Sequence, residues 1–125
     1  MIGYVTLGTN DFDRGVKFYD ELLATIGAKR VLEFDRGISW AVSPTTPGLA
    51  LVKPFDGKPA SFGNGVMVAL VVDSNAKVDE VHQKAIALGA KDEGAPGPRG
   101  TDGFYAGYFR DLDGHKINCY CWKTG

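Results

Sequence analysis

Two histidines, two cysteines and a few serines and carboxylates are the side chains of this sequence that could hold an ion or attack a substrate, and their spacing argues against most such chemistry. Cys119 and Cys121 are one residue apart. Side chains two positions apart on a strand share a face, whereas zinc and dithiol motifs use C-x-x-C spacing with further Cys or His partners. The pair therefore reads as two small buried residues. His82 has no second histidine three or four positions away with which to share a metal on a helix, so it reads as a satisfied structural residue at the edge of a buried stripe. His115 follows Asp113-Gly114 and reads as a solvated turn residue. Ser39, Ser43 and Ser61 have no histidine in a nucleophile motif, and neither cysteine has a base at a usable spacing. Glu33 and Asp35 flank a turn and read as solvated. Tyr4 could donate a proton, but no base can be named to accompany it. No catalytic group is therefore assigned. What remains is Arg99, whose guanidinium could meet a carboxylate or phosphate with two donors, and Lys53 as a weaker candidate for the same role. The surrounding Gly97-Pro98-Arg99-Gly100 is no phosphate loop, because no strand-to-helix transition with a Lys-Ser/Thr pair accompanies it.

The whole chain excludes several partners. Its 14 Lys+Arg against 15 Asp+Glu leave a formal net charge of -1, which supplies no field to draw in nucleic acid or an anionic membrane. The longest apolar run, Val66 to Val72, is seven residues, against roughly 20 for a membrane-spanning helix. Asp11 and Asp13 interrupt the N-terminal region early, with no basic stretch before a long apolar one, so no signal peptide is read and a cytoplasmic location is expected.

The elements that would position any site are written twice. Tyr4-Val5-Thr6-Leu7 precedes Asn10-Asp11, an amphipathic stretch and Ile26-Gly27-Ala28-Lys29; Met67-Val68-Ala69-Leu70 precedes Asp73-Ser74, an amphipathic stretch and Leu88-Gly89-Ala90-Lys91. Such self-similarity decides architecture more firmly than propensity does. Val16, Tyr19, Leu22, Leu23 and Ile26 recur at helical spacing, with Asn10 or Asp11 as cap and Gly27 as terminator. Val78, Val81, Ala85 and Leu88 repeat the stripe, with Asp73 or Ser74 as cap and Gly89 as terminator. Strands are expected over 30–34, 38–42 and 49–53, then over 104–110 and 116–122, where Asp111 to Gly114 form a hairpin loop. The corresponding first strand of the second half is blurred by Gly94-Ala95-Pro96-Gly97-Pro98, and Asp92 to Gly103 reads as a long loop placed over a cavity mouth.

The plan is α+β: two tandem βαβββ modules in a single domain, about 1–59 and 60–125, linked through Pro54 to Gly65. A helix shields only one face of its sheet. Two modules side by side would make an open, curved eight-stranded sheet around a cavity, a favoured ligand site. Val5, Leu7, Val68, Leu70, Ile117 and Cys119 are expected to face the helices. The expected cavity lining is Tyr4, Thr6, Trp40, Met67, Asn118 and Tyr120, with Arg99 over it. Flat apolar surfaces with an amide and hydroxyls suit an aromatic or amphipathic small molecule.

With these residues in view, the chain resembles the vicinal oxygen chelate superfamily of glyoxalases, extradiol dioxygenases and bleomycin-binding proteins across essentially its whole length. The resemblance is carried by Tyr4-Val5-Thr6-Leu7-Gly8 before Asn10-Asp11, Phe18-Tyr19, Gly65-Val66-Met67-Val68-Ala69-Leu70, and Phe109-Arg110-Asp111-Leu112-Asp113-Gly114-His115-Lys116-Ile117. It implies the glyoxalase/bleomycin resistance/dihydroxybiphenyl dioxygenase fold and a homodimer. In metal-dependent relatives the ion is held by a His on the first strand, a His opening the second half, a carboxylate on the last strand and often a Glu or Gln late in the first half. The matching positions are Tyr4, Met67, Asn118 and one of Ala50, Leu51 or Val52, none of which is a customary ligand. The expectation is a small-molecule-binding protein without cofactor or metal. The alternatives are a glyoxalase-type lyase or isomerase using an atypical metal or none, and a partner protein whose cavity has closed.

Overall fold

The computed structural model describes residues 1–123; the last two residues of the expected second module lie outside the described residues. The chain divides into two units, one from Met1 to Phe62 and one from Gly63 onward. Each is described by itself.

In the first, β1 (Tyr4–Gly8), α1 (Phe12–Ala24), β2 (Lys29–Phe34), β3 (Gly37–Ala41) and β4 (Gly48–Val52) follow in order. The sheet order is β1-β4-β3-β2, with β1 parallel to β4 and the other pairs antiparallel. Asp11 rather than Asn10 caps α1: its carboxylate accepts from the Arg14 N–H at 3.2 Å, satisfying one of the orphan donors of the first turn. Past the helix, Gly27 takes φ +80 and the Ala28 N–H returns to the Leu23 carbonyl, a left-handed stop that favours glycine. Phe18, Tyr19, Leu22 and Leu23 of α1 are buried, as are Leu7, Ile38, Leu49 and Leu51 of the sheet, so alternation puts Leu7 inward and leaves Tyr4 and Thr6 outward.

A bulge reorients β2. The pairing with β3 shifts register between Arg30 and Leu32, which inserts Val31 and brings Arg30 and Glu33, three apart, onto one side. Their ion pair at 3.1 Å and the Arg30–Asp20 pair at 2.6 Å follow from that shift. Asp20 also accepts the Trp40 indole N–H at 2.8 Å. The Arg30 hydrogen bond holds the Asp20 carboxyl below its ordinary value, burial opposing and Trp40 assisting. Because the folded-state value is lowered, the stabilisation is complete above the ordinary carboxylate range near pH 3.9 and is lost as pH falls through the lowered value. Asp20→Asn keeps an acceptor for the indole and removes the charge. The urea midpoint of the native protein should therefore exceed that of the variant at pH 7 and converge on it as pH falls through the lowered value, by a modest margin because solvent screens this partly exposed pair. A difference that does not shrink with falling pH would contradict it.

The second unit repeats the order: β5 (Met67–Val71), α2 (Asn75–Ala87), β6 (Lys91–Pro98), β7 (Phe104–Arg110) and β8 (Lys116–Trp122), arranged β5-β8-β7-β6 with β5 parallel to β8. Ser74, not Asp73, caps α2 by accepting from the Lys77 N–H at 3.1 Å. Val78, Val81, Ala85, Phe109, Ile117 and Cys119 are all fully buried. Most of the segment expected as a loop over 92–103 is a strand, β6, interrupted by register shifts between Asp92 and Gly94 and between Gly94 and Gly97. Its glycines and prolines break the pairing locally without abolishing it. Among the described residues, no helix is long and apolar enough to cross a membrane.

Candidate functional site

Each sheet keeps one face away from its helix. In the first unit, cross-strand register places Tyr4, Thr6 and Gly8 of β1 beside Gly48, Ala50 and Val52 of β4, with Ser39 and Gly37 of β3 continuing the face. Phe34 stands opposite Gly37. Over one end of this face lies a hollow of about 590 Å3, floored by Tyr4, Thr6, Phe34 and Val52 and walled by Arg36, Phe55 and the segment from Pro54 to Ser61. That volume is in the range of small-molecule sites.

The wall is fastened to the floor. The Asn10 amide donates to the Ala60 carbonyl at 3.1 Å and accepts the Ala60 N–H at 2.7 Å. Gly8 lets the segment lie on β1, because a Cβ there would stand 3.0 Å from the Ala60 methyl carbon. The Asp56 carboxylate takes the Lys58 N–H at 2.9 Å and the Gly57 N–H returns to Pro54, closing the turn that presents Phe55. Among the described residues, no protein group bonds the hydroxyls of Tyr4 and Thr6; Phe55 is 88% and Tyr4 70% exposed.

In the second unit the open face carries Met67 and Ala69 of β5, Lys116, Asn118, Tyr120 and Trp122 of β8, and Phe104, Ala106 and Tyr108 of β7. Phe104 stacks on Tyr120 with ring centroids 5.4 Å apart and meets Trp122 edge-on at the same separation. Asn118 is 2% exposed and spends its amide hydrogens on the carbonyls of Gly107 at 3.1 Å and Cys119 at 3.4 Å. Lys116 and Arg99 each lie 5.5 Å from the Tyr108 ring. The Arg99 guanidinium is already engaged, donating to Ala95 at 2.7 Å and to Gly97 at 2.9 Å; it straps the carbonyls freed by the irregularities of β6.

Of the expected lining residues, the structure groups Tyr4 with Thr6 in the first unit and Met67, Asn118 and Tyr120 on the open face of the second. Trp40 is a correction. It lies on the helix side of β3, 2% exposed, 5.8 Å from the Tyr19 ring and bonded to Asp20 of α1, because Trp40 pairs with Leu49, a core position of β4. His115 is a second correction: it is buried rather than solvated, and its backbone N–H donates to the Asp111 carboxylate at 2.9 Å within the hairpin. His82 is buried as expected, with Nε2 3.2 Å from both the Asp92 carboxylate and the Tyr108 carbonyl. Lys53 sits 5.2 Å over the Phe12 ring. Both cysteines are buried on the helix side of β8, and burial, then the neighbouring Cys121, pushes the Cys119 thiol up to about 12, far from a reactive thiolate. Sequence reading missed Arg36, Phe34 and Phe55. The parity of β2 beyond its bulge and the fold of the 54–61 segment place them, and neither has a local signature.

The positions matching the family's usual metal ligands do not fit an ion. Tyr4 offers a phenol, Met67 a thioether and Asn118 an amide turned to backbone carbonyls; Ala50 and Val52 share the open face but carry no donor, and Leu51 is in the core. Among the described residues, no three His, Cys, Asp or Glu side chains stand together.

Two βαβββ units, each with sheet order first-fourth-third-second and one free face, define a class of scaffold rather than one activity. The chain belongs to the glyoxalase/bleomycin resistance protein/dioxygenase superfamily, whose family model matches residues 1–119. It is similar to a glyoxalase/bleomycin resistance protein from Albidiferax ferrireducens T118, at 33% identity over 98% of this chain and 99% of that one, with a TM-score of 0.88. A lactoylglutathione lyase from Agrobacterium tumefaciens is 22% identical, covering 97% and 92% of the two chains with a TM-score of 0.69. A glyoxalase-related enzyme from Fulvimarina pelagi is 21% identical, covering 97% and 87%, with a TM-score of 0.74. The last two likenesses concern the fold alone. No curated protein matches this chain.

Proposed function

We propose that this protein binds a small organic molecule and does so without a metal ion. The reading rests on one observation above the others: the free sheet face of the first unit bears a walled hollow of ligand size, while the strand positions that would supply ion ligands carry Tyr4, Met67 and Asn118. Tyr4 and Phe55 offer flat apolar area, which contributes most of the stabilisation when an aromatic ligand is buried, and the Tyr4 and Thr6 hydroxyls can orient it. In this reading Asn118 holds two strands of its own sheet and is not a ligand contact.

The metal-free part is tested directly. Protein purified without chelators and analysed by elemental mass spectrometry should hold well under one divalent ion per chain. Adding zinc, nickel or manganese should leave its melting temperature unchanged, since an ion bound only to the folded state would raise it. One tightly held ion per chain, lost together with stability in Tyr4→Phe, would refute the reading and favour a lyase or isomerase with unusual ligands.

A further inference from the structure

We infer that the ligand of the first unit's hollow is a planar organic anion, an aromatic carboxylate, whose negative end is met by Arg36. The assignment rests on the binding reading above and adds the chemical class. Arg36 leads from β2 into β3, and its Nη1 donates to the Lys53 carbonyl at 3.0 Å while its Cζ lies 5.0 Å over the Phe55 ring. The Lys53 N–H in turn bonds the Arg36 carbonyl at 2.7 Å. Backbone and ring thus fix the guanidinium, so little side-chain freedom is lost when it binds.

Among the described residues Arg36 has no carboxylate partner, unlike Arg30 and Arg110, which are paired at 2.6 Å and 2.7 Å. The acid of the wall, Asp56, accepts the Lys58 N–H on one oxygen and makes no ion pair with Arg36. With Nη1 taken, Nε and Nη2 remain, the pair of parallel donors that suits a carboxylate. Beside this charge stand Phe55, Phe34 and Tyr4, each at least 42% exposed, more aromatic surface than a free cation site needs. A cation fixed at the rim of an aromatic floor fits a flat ring bearing a carboxylate better than a neutral ring or a bare inorganic anion.

The full chain is titrated with 2-naphthoate and with neutral 2-naphthol, followed by ligand fluorescence and by the amide signals of Thr6, Phe34 and Phe55. Naphthoate should bind at least ten times more tightly than naphthol. Arg36→Gln, an exposed substitution whose fold is checked by its melting temperature, should weaken naphthoate at least tenfold and leave naphthol unchanged. Arg36→Lys should recover only part of the loss, because an ammonium cannot offer two parallel donors. Equal binding of both compounds, unmoved by Arg36→Gln, would overturn the anion assignment while leaving the binding reading standing. If neither compound shifts those signals at millimolar concentration, both fall.

Discussion

Trp40→Ala is expected to destabilise the protein by about 3–5 kcal/mol, seen as a fall in urea midpoint with little change of slope. Trp40 is 2% exposed, packed on Tyr19, and donates its indole N–H to Asp20. Truncation leaves a cavity between α1 and β3 and takes one donor from a carboxylate that also anchors Arg30. Trp40→Phe keeps most of the volume and loses the donor, so it should cost nearer ~1 kcal/mol. The contrast separates packing from hydrogen bonding. It also separates core from site: were Trp40 part of the ligand floor, alanine would weaken 2-naphthoate binding with little loss of stability. A Trp40→Ala protein with an unchanged midpoint would contradict the placement on the helix side.

Phe109→Ala should cost a similar ~3–5 kcal/mol in the second unit. Phe109 is fully buried near the end of β7, a central strand of its sheet, opposite Ile117 of β8 and Asp92 of β6, and its ring meets that of His82 edge-on with centroids 6.2 Å apart. Removing it takes the floor from beneath α2, so amide exchange should accelerate along α2 as well as in β7. Phe109→Leu, closer in volume, should stay under about 1.5 kcal/mol. Set against a typical stability of 5–15 kcal/mol, either alanine variant removes a large share of the total. Urea unfolding of Phe109→Ala within about 1 kcal/mol of the native protein would mean that this core re-packs around the gap.

The duplication, both helices, their glycine stops and seven of the eight strands are legible in the residues, because each is set by local spacing and turn chemistry. The eighth, β6, is not, since its glycines and prolines carry loop signals that only pairing with β7 overrides. For Trp40 the local signal was present but weak: in Ile38-Ser39-Trp40 the apolar residues share one side, yet which side is inward follows from Trp40 lying opposite Leu49. Arg36 and Phe55 carried no signal at all. Their meeting depends on the β3–β4 pairing, which lets Arg36 reach the Lys53 carbonyl 17 residues away, and on the Asn10 latch on Ala60.

The sequence by itself determined the repeated half-unit, the faces of β1, β5 and β8, and the absence of customary ligands at Tyr4, Met67 and Asn118, because periodicity and residue chemistry travel with the chain. Only the tertiary structure decided which polar groups remain available to a ligand. Asn118, Arg99 and His82 are each spent on backbone carbonyls or a carboxylate, while Arg36 keeps two donors. A hydrogen-bond donor binds a ligand only if folding has not already given it a partner, and that is settled by contacts between residues far apart in the chain.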